Sequence, residues 1–233
     1  MRALLTAHLR GGRRRRRKRM PYLRRLLRHR QRHGPRPPVQ IPIMTRGKLA
    51  LQWGPTLRHH VMRLFIHGLW EANQVLPARP TPTKTGADRY DRPLQRRLVR
   101  AWPNLRSDGT LLSHVALWDH EWDSHGQYFG LNFNDFFATV LYLYDMLPHR
   151  RYRRDLGIQP GVLRRAGVVR ALIARRFGVR LEVHGQNRSG GGENIREVRL
   201  FVDESLWFVD STIDYSGSIH SSADLAIFPA API

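Results

Sequence analysis

Phe65-Ile66-His67-Gly68-Leu69-Trp70 is the stretch on which the reading of this chain turns. Val61 to Ile66 is an apolar run rich in β-formers and reads as a strand, and His67-Gly68 ends it. A histidine at the end of such a strand enters a cleft. Further along stands a second block, His120-Glu121-Trp122-Asp123-Ser124-His125-Gly126. Together the two supply three imidazoles and a carboxylate. Histidine is the one side chain whose ordinary pKa lets it act as acid or base near neutrality.

If residues 120–125 are helical, the rotation of about 100° per residue gathers His120, Glu121, Ser124 and His125 into a sector of about 140°. Trp122 and Asp123 then point elsewhere. The competing chemistry is zinc binding, which needs two histidines at i and i+4 with Glu after the first. Here the second histidine stands at i+5, so the spacing misplaces that ligand and no metal is expected. The plainer alternative is a set of separately satisfied histidines at a helix end, with Gly126 as its stop. That alternative weakens because both blocks pair histidine with an aromatic neighbour and the second adds a carboxylate.

Around these blocks the elements alternate in kind. Lys48-Leu49-Ala50-Leu51-Gln52-Trp53 reads as a short strand stopped by Gly54-Pro55. Residues 77–90, rich in Pro, Thr and Gly, read as a loop. Leu94, Leu98 and Ala101 space like a helix ending before Pro103. Asn134 is the expected cap of a strong helix carrying Phe136, Phe137, Val140, Leu141, Tyr144 and Leu147 on one face and ending at Pro148. A further helix is expected from about Pro160 to Arg176, stopped by Gly178, with its arginines on a solvated face. Val179–Val183, Glu197–Val202 and Leu206–Asp210 read as strands, with Gly185 to Asn194 connecting the first two. Helices in the middle flanked by strands predict an α+β domain, an antiparallel sheet with packed helices.

Composition bounds the rest. The 233 residues suffice for one domain and an extension. Of 40 Lys and Arg, 17 lie in residues 1–48, which contain no Asp or Glu; the remainder holds 23 basic against 18 acidic residues. The formal charge of +22 therefore belongs largely to the N-terminal stretch. Residues 1–46 read as a basic, solvated, disordered arm: Arg13 to Arg19 repel one another, and Gly34-Pro35-Arg36-Pro37-Pro38 blocks regular structure. Such an arm suits a nuclear signal, an RNA-attracting tail or an Arg-rich targeting peptide, or has no role at all. Residues 47–233 are the expected domain. No apolar run approaches the roughly 18–20 residues of a membrane span. Cysteine is absent, which excludes disulfide and thiolate chemistry and favours a reducing compartment.

The two histidine blocks resemble the active-site segments of the ribonuclease T2 family, which includes acid ribonucleases and plant S-ribonucleases. Residues 65–70 match the first segment, and Trp118-Asp119-His120-Glu121-Trp122-Asp123-Ser124-His125-Gly126 matches the second. Leu51-Gln52-Trp53, Trp102-Pro103-Asn104-Leu105 and Phe228-Pro229 are weaker matches in the right order, so the likeness runs over roughly 48–229. It implies an endoribonuclease that needs no cofactor, takes RNA as its partner, acts as a monomer and forms a 2′,3′-cyclic phosphate. By the same resemblance His67 is the general acid and His125 the general base. His120 and Glu121 hold the phosphate, and Trp70 fixes the acid imidazole. Gln52 and Asn104 contact a base, while Trp118 is placed to stack on one. Relatives are secreted, vacuolar or lysosomal, whereas Met1 to Leu9 is too short an apolar stretch for a good secretory signal.

Three departures from the pattern stand out. Ser124 occupies the position where the family usually carries a lysine beside the base histidine, a change expected to slow the reaction unless an arginine from elsewhere replaces it. Tyr128 and Phe201 fall near positions of family cysteines. Only 13 residues (54–66) separate Trp53 from His67, shorter than is usual. These departures keep open an alternative, a catalytically weakened homologue acting as a basic RNA-binding protein.

Overall fold

Alternation along β1 (Gly47–Trp53) sorts the sheet into two faces: Leu49, Leu51 and Trp53 enter the core, while Lys48, Ala50 and Gln52 face the other way. The computed structural model describes residues 46–54, 63–72, 90–105, 109–147, 161–162, 164–187, 193–210 and 226–227. Residues 1–45 of the expected basic arm, the expected 77–90 loop apart from Tyr90, Pro148 and Phe228-Pro229 lie outside them. The Arg46 carbonyl accepts from Ala72 N–H at 2.8 Å, and its side chain pairs with Glu204 at 3.1 Å.

β1 lies between two antiparallel neighbours, β2 (Leu64–Glu71) and β4 (Glu193–Val202), and β3 (Glu182–Asn187) pairs with the far side of β4. The order is thus β2-β1-β4-β3, with β5 (Phe208–Val209) antiparallel and β6 (Ala226–Ile227) parallel to β4. Within the expected connector from Gly185 to Asn194, the described residues, 185–187 and 193–194, are strand. Gln186, Asn187 and Asn194 have little β-propensity of their own, so cross-strand pairing overrides it. At the other end of the region, pairing is shorter than the apolar pattern of Leu206–Asp210 predicts. Leu206 sits in a turn at φ +63°, leaving two residues for β5.

Among the described residues, four α-helices accompany the sheet. α1 (Arg92–Ala101) buries Leu94, Leu98 and Ala101, as their spacing predicts. α2 (Leu111–Ser124) begins at Thr110, whose hydroxyl accepts from Ser113 N–H. α3 (Phe133–Met146) begins at Asn132 rather than the expected Asn134; the Asn132 side chain accepts the Asp135 N–H at 2.9 Å. α4 (Ala166–Phe177) ends at Gly178, whose φ of +76° closes the helix, but it starts later than the expected Pro160. The core between helices and sheet is strongly aromatic: Trp102, Trp118, Trp122, Phe129, Phe136 and Phe137 are buried and meet mostly edge-on or tilted. Each such pair contributes about 0.5–1.5 kcal/mol beyond the area it buries. Tyr128 and Phe201 are buried as well, so apolar packing occupies those positions.

Candidate active site

Where β1 and β2 pair, Leu51 lies opposite Ile66 and Ala50 opposite Gly68, so His67 is the extra residue of a β-bulge. A bulge bends the strand and re-aims a side chain. Here it brings His67 and Trp70, three residues apart, together on the side of β2 away from Leu64, Ile66 and Leu69. Two side chains pin the bulge: Trp102 Nε1 donates to the His67 carbonyl at 3.0 Å, and the Gln52 amide reaches the Ile66 carbonyl at 3.4 Å. Gly68 has no Cβ for a specific reason. A Cβ there would collide with the Trp70 indole nitrogen and with Glu121 Oε2.

From the helix side, α2 supplies His120, Glu121 and Ser124. His125 stands one residue beyond the last helical turn, its N–H still donating to the Glu121 carbonyl at 3.0 Å. His120, Glu121 and Ser124 are thus helical, as the expected sector requires, while His125 is presented from the helix end. Trp70 joins the two blocks. Its Nε1 donates to Glu121 Oε2 at 3.1 Å, and its ring lies 5.1 Å from His67 and 5.9 Å from His125. His67, Trp70, Glu121 and His125 form one cluster, with exposed His120 beside the buried carboxyl.

Charge in this cluster is arranged by burial. Burial pushes the Glu121 carboxyl above the usual carboxylate range, outweighing the Trp70 hydrogen bond and the charges of His125, His67 and His120, which pull it down. Glu197 on β4 shows the opposite balance. Burial would raise it, but the hydrogen bond from His67 and the charges of His67 and Arg199 hold it below that range. Glu182 on β3 is likewise held low, against the effect of its burial, by His184, Lys48 and Arg199.

Several residues at the site were not anticipated from sequence. Glu197 Oε2 hydrogen-bonds His67 Nδ1, and Glu71 Oε2 meets His125 Nδ1 at 2.9 Å. Arg199 bonds Glu197 Oε1, lies 3.7 Å from Glu182, and places its guanidinium 4.8 Å from the centre of the Trp70 ring. The available signals were the polar alternation Glu197-Val198-Arg199-Leu200 in a strand and the position of Glu71 directly after Trp70.

Of the expected base-contacting residues, Asn104 is tied to the start of α2: its N–H donates to His114 Nδ1 at 3.1 Å and its amide to the Ser113 carbonyl at 3.2 Å. Gln52 is buried on β1. The stacking expectation for Trp118 is corrected: its ring is 0% exposed, its Nε1 donates to the Trp102 carbonyl at 2.8 Å, and Tyr90 packs against it. A base has no face of that indole to lie on.

Known proteins share this fold. The pattern of the Ribonuclease T2 family matches residues 49–211. No curated protein sequence matches the chain. Among solved structures, the self-incompatibility-associated SF11-RNase of Nicotiana alata is similar with a TM-score of 0.65 at 18% identity, over 79% of this chain and 98% of that one. Ribonuclease MC1 from the seeds of bitter gourd gives 0.58 at 18% identity, over 78% and 99%. Human RNase T2 gives 0.58 at 16% identity, over 79% and 97%.

Proposed function

The chain belongs to the ribonuclease T2 family, and from that premise we propose that it is an endoribonuclease cleaving single-stranded RNA by attack of the ribose 2′-hydroxyl on the adjacent phosphate. The observation that carries this reading is the packing of both His67 and His125 against one indole, Trp70, with Glu121 hydrogen-bonded to that indole's nitrogen. Two imidazoles so placed suit the two ends of one transfer. His125 removes the 2′-hydroxyl proton, and the 2′-oxygen bonds to phosphorus. The bond to the 5′-oxygen breaks as His67 delivers a proton to it, leaving a 2′,3′-cyclic phosphate and a 5′-hydroxyl. The nucleophile belongs to the substrate, so the step gains the advantage of an intramolecular reaction. DNA lacks that hydroxyl and is not a substrate.

Glu121 has a role in this scheme that its burial supports. An ionised carboxylate beside a phosphate gathering negative charge is repulsive. A carboxyl raised by burial keeps its proton more readily and can donate it in a hydrogen bond to a phosphate oxygen, with exposed His120 adding positive charge.

The test is cleavage of a single-stranded RNA oligonucleotide by the full chain across about pH 4–8, with EDTA present. A bell-shaped profile is expected, because one ring must be charged and the other neutral. His67→Ala and His125→Ala should each lose about 10²–10⁴ in kcat. Wild-type cleavage matched by both variants would overturn the reading. The second reading, a catalytically weakened homologue acting as a basic RNA-binding protein, is favoured by Ser124 and the missing family cysteines, and it requires RNA binding with little cleavage at any pH.

A further inference from the structure

Each of the two imidazoles assigned to proton transfer is held from behind by a buried glutamate. His67 Nδ1 meets Glu197 from β4, and His125 Nδ1 meets Glu71 from the end of β2. The histidines are partly exposed, whereas both glutamate side chains are at least nine-tenths buried. We propose that Glu71 and Glu197 are positioning residues that fix the tautomer and the aim of His125 and His67, an assignment that rests on the acid and base roles given above.

The chemistry follows from what a carboxylate oxygen can do. It accepts hydrogen bonds and donates none, so a ring nitrogen bonded to it must carry the hydrogen. A neutral histidine left to itself divides between two tautomers. With Nδ1–H committed to a glutamate, neutral His125 presents a bare Nε2, the form a base needs. Charged His67 with its Nδ1–H committed in the same way presents Nε2–H, the form an acid needs. One support thus serves both roles, and the difference between them lies only in which ring carries the second proton.

The two supports are anchored differently. Glu197 is gripped on both oxygens, by His67 on one and by Arg199 on the other, so its carboxylate plane is set by two elements of the sheet. Glu71 Oε1 is buried with no hydrogen-bond partner among the described residues, so His125 is the group that satisfies this carboxylate. Swinging His125 away would leave both oxygens buried and unmatched, which ties the ring to its place. Each glutamate is bonded at Nδ1, the nitrogen not assigned to proton transfer, and so acts through its histidine.

The experiment combines kinetics with a direct view of the rings. Glu71→Gln and Glu197→Gln keep size and remove the obligatory acceptor. Cleavage of the RNA oligonucleotide by each should fall about 10–100-fold in kcat with KM little changed, while the thermal transition stays cooperative. In the ¹⁵N-labelled wild-type chain, the resonances lost in His67→Gln and His125→Gln should show Nδ1 protonated in both rings throughout the titration. In the Glu→Gln variants the neutral rings should show a mixture of tautomers. Wild-type kcat in both Glu→Gln variants, or an Nε2–H tautomer in neutral wild-type His125, would overturn the proposal. The spectrum decides the matter even if a variant fails to fold. If the wild-type chain cleaves no RNA while Nδ1 stays protonated, the supports are real and it is the ribonuclease reading that fails.

Discussion

At position 68 one hydrogen atom in place of a methyl group lets the site close. Gly68→Ala would drive the Trp70 indole off Glu121, and a displacement of about 1 Å at a catalytic group can cost about 10² in rate. We expect that loss in kcat together with about 1–3 kcal/mol of destabilisation in urea, the usual cost of overpacking. Ser124, at the end of α2, invites the opposite substitution. A preorganised cation facing the phosphate is worth about 10²–10³ in rate, so Ser124→Lys should raise kcat by up to that factor. No gain would mean that the missing charge at this position does not limit the reaction. The two blocks were legible in the sequence, because His67, His120, Glu121 and His125 stand in two short runs, and the fold brings His67, Glu121 and His125 to one indole. Glu197 was not legible. It lies 130 residues from His67, and only the pairing of β4 with β1, and of β1 with β2, brings them together.

At the scale of elements, local pattern and tertiary pairing divided the outcome between them. α1 and the apolar face of α3 follow from 3.6-residue spacing, and β1 from alternation, since those signals need no partner. The bulge at His67 could not be read, because a bulge exists only in the register of two strands. The cap of α3 stands two positions before the expected one for a similar reason. Asn132 and Asn134 are both suitable residues, and the choice depends on which side chain finds an N–H three residues on; here Asn132 reaches Asp135. Asn132→Ala should therefore cost about 1 kcal/mol in chemical denaturation and leave kcat unchanged, whereas Asn134→Ala should alter neither stability nor kcat. Trp118 shows the limit of carrying a role across by resemblance. The same aromatic residue serves packing or stacking according to what covers it, and here Tyr90 and the Trp102 carbonyl do.

For the whole molecule, the buried carboxylates link stability to pH in two opposed directions. Glu197 and Glu182 have lowered pKa values in the folded state, so their contribution is present above the ordinary carboxylate value of about 4.3 and is lost as pH falls through their folded values. Glu121 is raised, so its contribution is present at acid pH and lost as pH rises through its folded value. Thermal unfolding should accordingly show Glu121→Gln more stable than wild type at neutral pH, with the advantage vanishing in acid, and inferior to it in activity. An unchanged transition at both pH values would refute this linkage. With cysteine absent, the sheet, the aromatic layer and these ion pairs hold the site without covalent help. The central claim is that two imidazoles flank one phosphodiester and use the substrate's own 2′-hydroxyl, and phosphorus NMR of the products from a DNA oligonucleotide containing a single ribose tests it most directly. The prediction is cleavage at that ribose alone, with the cyclic-phosphate signal appearing first and depending on both His67 and His125. A 5′-phosphate product, or scission at a deoxyribose linkage, would contradict it.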